Sequence, residues 1–291
     1  RAMTFIPLGY YAFSGLFNFV TTLGLALFVL IKNPRSHVNR RCAIFFFSVA
    51  IWSIFYYVWL ITPEKDLAEF YVRTCMIAVL FIPSLSIHFI DSFLRIRRPR
   101  EFYVFNYSLS FLFTLTVYTP LYATGVGKYL VFPYWPIPGP SFHLALAHFG
   151  VIVCYVIFLL HRAFRTAHGL VKSQILYIYT GTLVGFFSGS TNYFCWYRVP
   201  IPPVLNILVS LYVFLITYDI VKHQVMDIKV AITRTGVLLG TYLVVLGLPF
   251  AVGWWGKEWL ERQVGEGWWL IPLGLCTVLA TIGPFAYAYL R

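Results

Sequence analysis

Charge is scarce in this sequence and negative charge scarcer still: Asp, Glu, Lys and Arg make up 11% of the chain, and only 10 residues are Asp or Glu. Water-soluble domains carry about 25% charged residues, so an ordinary globular domain is excluded. Polar stretches long enough for an inserted soluble domain are also missing. The five cysteines, Cys42, Cys75, Cys154, Cys195 and Cys276, are scattered, and no two have the spacing of metal ligands. Cys75 and Cys195 both fall toward one side of the membrane, which leaves a disulfide between them open. There is no G-x-x-x-x-G-K-[ST] phosphate loop, no histidine-kinase catalytic core and no paired acidic metal site. No catalytic residue, cofactor or metal is therefore expected.

What the chain has in abundance is apolar length. Hydrophobic residues make up 60% and aromatics 20%. Apolar runs occupy about 5–31, 42–62, 70–94, 102–119, 143–161, 174–191, 203–221, 236–255 and 268–290, each near the ~20 residues that a ~30 Å hydrocarbon layer requires. The expectation is an all-α fold, a polytopic transmembrane helix bundle of about nine spans. The first run is too long for the core of a signal peptide and lacks a small-x-small cleavage pattern, so it is read as a retained helix. The chain opens at Arg1 with its first Met at Met3, so the true start is expected upstream.

Basic residues mark alternate connections: Lys32 to Arg41, Arg95 to Arg100, Arg162 to Lys172, Lys222 to Arg234, and Arg291. Fifteen of the 22 Lys and Arg lie there. By the positive-inside rule the amino end lies outside and the carboxyl end in the cytoplasm. The same placement explains the net charge of +12 as headgroup contact, and membrane lipid rather than nucleic acid is the expected partner. Trp135, Trp196, Trp254, Trp255, Trp259, Trp268 and Trp269 fall at the outer boundary, where amphipathic rings anchor.

Three connections stand out. The outer segment 120–142, PLYATGVGKYLVFPYWPIPGPSF, has Pro and Gly that break any helix; it either folds back as a lid or packs on the headgroups. The outer segment Thr191 to Pro203, TNYFCWYRVPIPP, leaves backbone groups unpaired near membrane depth, which is tolerated where protein or water covers them, so it is expected to line a cavity open to the outside. On the cytoplasmic side, Asp219 to Arg234 places Val221, Val225, Met226, Ile228 and Ile232 at helical spacing and reads as an amphipathic interfacial helix. The domains are thus 1–222, a seven-span bundle; 223–235, the linker helix; and 236–291, a two-span extension.

Ionisable and polar residues inside or beside the spans are the functional candidates, because each is costly there. Arg73, Trp135, His143, Asn192, Trp196 and Arg198 form the candidate ligand site on the outer side, with Tyr134, Ser141, Phe142 and His148 near it and Tyr56, Tyr57, Trp59, Tyr193 and Tyr197 widening an aromatic lining. Arg73 is also open to pairing with Glu69 or snorkelling to the interface. His143 and His148 are five apart and offer no third ligand for zinc. On the inner side, His88 and Asp91 share a helix face and are either a switch or an internal tie to a neighbouring helix or the basic loop starting at Arg95. Asp219 and Asp227 are the coupling candidates on the linker.

The stretch GSTNYFCWYRVPIPPVLNILVSLYVFLITYDIVKHQVMDIKVAITR resembles the end of the seven-transmembrane sensor region at the amino terminus of bacterial histidine kinases. The matching features are Thr191 and Asn192, the proline-rich turn Pro200 to Pro203, Asn206, and the Ile220 to Ile228 exit. NRRCAIFFFSVAIWSIFYYVW resembles the second span of the same family. Asp219 departs from it, standing where an apolar residue is commoner. The resemblance implies a bacterial inner-membrane input module in which a small-molecule signal shifts helix packing and the shift reaches a dimeric kinase through the last span.

The sequence ends at Arg291 without a phosphoacceptor or ATP-binding domain, so it is expected to be either part of a longer sensor kinase or a free-standing sensor acting through partners, as a homodimer or in a larger membrane complex. The rival is an accessory subunit of a membrane complex with no ligand of its own. A transporter would need an internal repeat with broken helices, and no repeat is apparent.

Overall fold

The computed structural model describes residues 6–224, 249 and 257–277. The chain divides into two compact units, Arg1–His223 and Gln224–Arg291. In the first, the helices are α1 (Leu8–Lys32), α2 (His37–Ile61), α3 (Lys65–Phe93), α4 (Arg100–Thr116), α5 (Pro140–Thr166), α6 (Gly169–Ser190), the short α7 (Asn192–Trp196) and α8 (Val209–Gln224). Among the described residues α1, α2, α3 and α5 are long and apolar enough to cross a membrane. α4 has 17 residues and α8 has 16, while glycines and hydroxyl residues dilute the 22 of α6.

The bundle is turned out relative to a soluble one. On α1, Ser14, Asn18 and Thr22 recur every fourth residue and are fully buried, while Phe13, Val20, Leu27, Phe28 and Ile31 are exposed. A polar stripe facing inward and an apolar face outward is what a hydrocarbon solvent selects, because lipid offers hydroxyls and amides no partner. α2 begins where Ser36 caps it, its Oγ accepting from Asn39 N at 3.3 Å, and Asn39 Nδ2 donates back to Val29 O at 3.2 Å. α3 is central, packing against α2, α4 and α5.

Two corrections concern the connections expected on the outer side. Segment 120–142, expected as a loop, contains an antiparallel hairpin of β1 (Ala123–Tyr129) and β2 (Phe132–Pro138), with Val126 opposite Pro136 and Tyr129 opposite Phe132, so the fold is not purely α. A two-stranded sheet has only edges, which is why it accepts three prolines in β2. Its two-residue turn places Leu130 at φ 51°. The hairpin base is closed by Gly139 N donating to Tyr122 O at 2.8 Å and Ser141 N to Leu121 O at 2.8 Å. A Cβ on Gly139 would lie 2.4 Å from Leu121 O, so only glycine permits this approach.

The seventh run also starts irregularly. After Pro203, Val204–Leu208 form a 3₁₀ turn, and α8 begins at Val209. The prolines withdraw backbone donors, and a tighter turn with i→i+3 bonds results. Cys75 and Cys195 are free and buried, against the open disulfide: Cys75 Sγ donates to Trp52 O at 3.4 Å and Cys195 Sγ to Ile201 O at 3.5 Å.

In the second unit, α9 (Lys257–Val264) is followed by a 3₁₀ turn, Gly265–Gly267, and residues 270–277 are helical. Lys257 lies 3.9 Å from Glu261 and over the Trp268 ring. The linker expected at 223–235 lies outside the described residues beyond Gln224, as do span 236–255, apart from Pro249, and the far half of 268–290.

Candidate functional site

Five helices of the first unit and α7 border a half-open cavity of about 70 Å³. α2 contributes Phe45, Val49 and Trp52, α3 Met76, Val79 and Ile82, and α5 Phe149. The opposite wall is Gly185, Phe186, Gly189 and Ser190 of α6, Asn192, Tyr193 and Trp196 of α7, and Val209 and Tyr212 of α8.

Glycine spacing makes this space. Gly181, Gly185 and Gly189 fall on one face of α6, and a Cβ on Gly185 would come within 2.5 Å of the Tyr212 ring. Small residues at i and i+4 let helices approach closely in a bilayer, and here they admit the ring of Tyr212. Gly189 is the open end of the groove: a Cβ there would meet only Val209 Cγ2, at 3.9 Å.

Asn192 connects the cavity wall to the last helix. It is 8% exposed and its Nδ2 donates to Gly189 O at 3.0 Å and to Asn206 Oδ1 at 2.9 Å. Asn206 Nδ2 donates to Ser14 Oγ at 3.0 Å, and Asn206 O accepts from Asn18 Nδ2 at 2.8 Å. Asn18 Oδ1 accepts from Ser210 Oγ at 2.6 Å and Ser210 N at 3.2 Å. One buried network thus joins α1, α7, the 3₁₀ turn and α8. Asn192 Oδ1 is left without a partner among the described residues.

Of the other candidates in this group, Trp196 joins the wall, while Trp135, His143, Arg73 and Arg198 lie outside it. Trp196 lines the cavity and stacks on Phe142 at 4.0 Å and 12°, fixing α7 to the start of α5. His143 Nδ1 lies 2.7 Å from Tyr197 Oη, and His148 is apart from it, at 3.2 Å from Asn106 Oδ1. Trp135 is buried in the hairpin's contact with α2, 4.9 Å from Trp59 and 4.5 Å from Phe132, and Trp59 Nε1 donates to Tyr134 O at 2.7 Å. Arg198 follows α7 at φ 56°, where Val199 N donates to Phe194 O at 3.0 Å and Arg198 N to Cys195 O at 3.2 Å, a helix stop that usually employs glycine. Its guanidinium lies 4.8 Å from the Tyr129 ring.

Arg73 is engaged in full. Nε and Nη2 donate to Glu69 Oε1 at 3.0 and 2.6 Å. Nη1 donates to Val117 O and Thr119 O at 2.6 and 3.1 Å, and Nη2 to Ala123 O at 2.8 Å. These contacts match the five N–H groups of a guanidinium, so Arg73 ties the end of α4 and the start of β1 to α3.

The candidates expected on the inner side separate in the same way. Asp91 is fully buried, and its Oδ2 accepts from Arg98 Nε at 2.6 Å and Tyr103 Oη at 2.9 Å. His88 Nδ1 lies 3.0 Å from Tyr107 Oη, and Arg41 donates to Ser92. Arg98 also covers the rings of Phe102 and Tyr155. Asp91 is therefore tied to the basic loop. The side chain of Asp219 and the whole of Asp227 lie outside the described residues.

A family described as the N-terminal 7TM region of histidine kinase matches residues 15–229. The chain belongs to this family. The match runs from α1 through α8, so it takes in the cavity, the Asn192 network and the Asp91 cluster. No curated protein and no solved structure matches the chain. As a histidine-kinase 7TM region it is a membrane sensor input region and not the catalytic part. Sequence reasoning missed Asn18, Ser14 and Tyr212 here; the four-residue spacings of Ser14, Asn18 and Thr22 and of Gly181, Gly185 and Gly189 are the signals that carry them.

Proposed function

We propose that this chain senses a small molecule within the membrane and transmits the resulting helix rearrangement to a cytoplasmic histidine kinase. The supporting observation is the shared contact of Asn192: it lines the cavity and holds Asn206, which heads the last helix of the 7TM region. A ligand shifts a packing equilibrium only as far as it binds one arrangement better than another. Occupancy that displaces α7 changes the hydrogen bond that positions α8, which supplies such a difference.

In this reading Trp196 and Asn192 form the site, while Trp135, His143, Arg73 and Arg198 hold its outer rim. His88 and Asp91 hold the inner ends of α3 and α4, and Asp219 and Asp227 belong to the coupling segment beyond. The proposed setting is a bacterial inner membrane, with nine spans, the amino end outside, the carboxyl end in the cytoplasm, and a homodimer or larger complex as the working unit.

Spin labels on Ile31 of α1 and Phe214 of α8 test the coupling in the chain reconstituted in nanodiscs. Met76→Trp, which fills the cavity without touching α8's hydrogen bonds, should change the label separation by about 1–2 Å, the usual scale of helix shifts. An unchanged separation in a well-folded variant removes the coupling. Val225→Asp should leave that shift intact and abolish its effect on kinase output in the kinase-bearing protein; unaltered output counts against the exit segment as conduit.

A further inference from the structure

We infer that the cavity admits the hydrocarbon chain of a membrane lipid, which enters sideways from the bilayer between α5 and the α6–α7 segment. The inference rests on the sensor reading for its purpose, but its chemistry follows from where the cavity lies and how it opens. Val49 and Val79 are the middle residues of α2 (His37–Ile61) and α3 (Lys65–Phe93). Both helices are long and apolar enough to cross a membrane, and both valines line the cavity. At that depth a bilayer offers hydrocarbon rather than water or headgroups.

The open side is marked by the partly exposed members of the wall. Val79 on α3, Phe149 on α5, Gly189 and Ser190 on α6 and Tyr193 on α7 are half-buried, while the rest of the lining is buried. The Phe149 ring lies 5.8 Å from that of Phe186 and 5.4 Å from that of Tyr193, so the opening falls where α5 meets α6 and α7. Gly189 adds no side chain to obstruct it. The outward faces of the same helices are apolar: Leu144 and Val151 on α5 and Phe187 on α6 are 65%, 67% and 68% exposed, as suits a surface that meets lipid.

No Lys, Arg, His, Asp or Glu is among the described residues lining the cavity, so nothing in the wall compensates the burial of a charged ligand. A second, smaller cavity shares Val79, Phe149 and Tyr193 with the first and continues among Leu80, Pro83 and Leu146, again without a charged group. Two uncharged spaces divided by side chains suit a flexible chain better than a rigid body. Moving a chain from lipid into the cavity gains no hydrophobic energy; the drive is packing, because an empty apolar space forfeits the dispersion contacts of its lining. The open side sets no length limit, so the rest of the lipid, headgroup included, stays in the bilayer.

The test is photolabelling of the purified chain in nanodiscs made with a phosphatidylcholine that carries a diazirine near the end of one acyl chain, followed by peptide mapping. Trp52, Met76 and Ile82 line the cavity and are 8%, 5% and 8% exposed, so a chain that stays in the bilayer does not label them, whereas Leu144 and Phe187 report the surface. The expected result is adducts on both sets, with the first lost and the second unchanged in Gly189→Leu. Gly189 has room for a Cβ, and the leucine blocks the open side; Met76→Trp, read at Trp52 and Ile82, serves if that variant does not fold. Adducts confined to the surface set, or wall adducts that survive the substitution, overturn the inference. So does labelling of the wall by a diazirine-bearing short-chain alcohol but not by the phospholipid, which assigns the cavity to a small dissolved molecule. Wall adducts with an unchanged Ile31 to Phe214 separation in Met76→Trp leave the lipid site standing and remove the sensor reading, so the two fail separately.

Discussion

Asn192 on α7 and Asn206 at the head of α8 are joined by one hydrogen bond, Nδ2 to Oδ1 at 2.9 Å. Through Asn206 the same contact reaches Ser14 and Asn18 on α1, nearly two hundred residues away in sequence. The first and last helices of the 7TM region are therefore registered against each other, where Ser14 and Asn18 meet Asn206 and Ser210, by amides and hydroxyls.

Asn206→Ala should destabilise the bundle by about 1 kcal/mol, from two side-chain bonds, to Asn192 and Ser14, at roughly 0.6 kcal/mol each. Asn192→Ala should cost a similar amount, and the double variant should fall short of the sum by about 0.6 kcal/mol, because both remove the Asn192–Asn206 bond. Detergent titration of helicity measures this. Strict additivity would mean that the two asparagines do not share a network.

Gly185→Ala and Gly189→Ala are predicted to differ sharply. The first forces a methyl to 2.5 Å from Tyr212, an overpacking that costs about 1–3 kcal/mol, and Gly185→Ala with Tyr212→Leu should recover most of it. The second meets ordinary contact and should change the melting midpoint little. Equal midpoints for the two single variants would contradict the helix contact described above.

Arg73→Lys should cost about 2 kcal/mol, from hydrogen bonds to Val117 O, Thr119 O and Ala123 O that lose their donors. An ammonium brings three donors to sites that occupy five, and its point charge lacks the fork that reaches Glu69 and the carbonyls together. Limited proteolysis within 123–138 should accelerate along with the loss of thermal stability. A lysine variant as stable as the parent would show that the carbonyl contacts contribute nothing.

Arg198→Gly should be more stable than Arg198→Ala by about 1 kcal/mol, because glycine adopts φ 56° without the Cβ penalty. Both lose the contact with Tyr129, so the difference isolates the backbone. Thermal melts of the pair decide it, and an alanine variant at least as stable as glycine would exclude strain at this residue.

The helices were legible because the bilayer dictates both their length and their apolarity: the runs at 5–31, 42–62, 70–94, 102–119, 143–161 and 174–191 correspond to α1 through α6. The hairpin was not, since Leu130 and Val131 replace the Asn-Gly pair that announces a two-residue turn and three prolines argue against a strand. Asn192 and Trp196 were picked out from an irregular outer segment, and both line the cavity. Their partners were beyond reach, because Asn18 and Asn206 meet only once the helices close into a ring. Glu69 was visible one turn before Arg73, but Val117 O, Thr119 O and Ala123 O are backbone atoms of a distant turn, which no side-chain pattern encodes.

The closed base of the hairpin at Gly139 bears on how the hairpin moves. A flap requires slack in at least one attachment. Here β1 leaves Ala123 under the Arg73 guanidinium, and β2 returns through Gly139 against Pro120 and Leu121 with no space for a methyl group. The two strands are thus continuous, mechanically, with α3, α4 and α5. The hairpin works as a lever arm rather than a door: tilt in any of those helices swings its tip, and force on its tip is delivered to them.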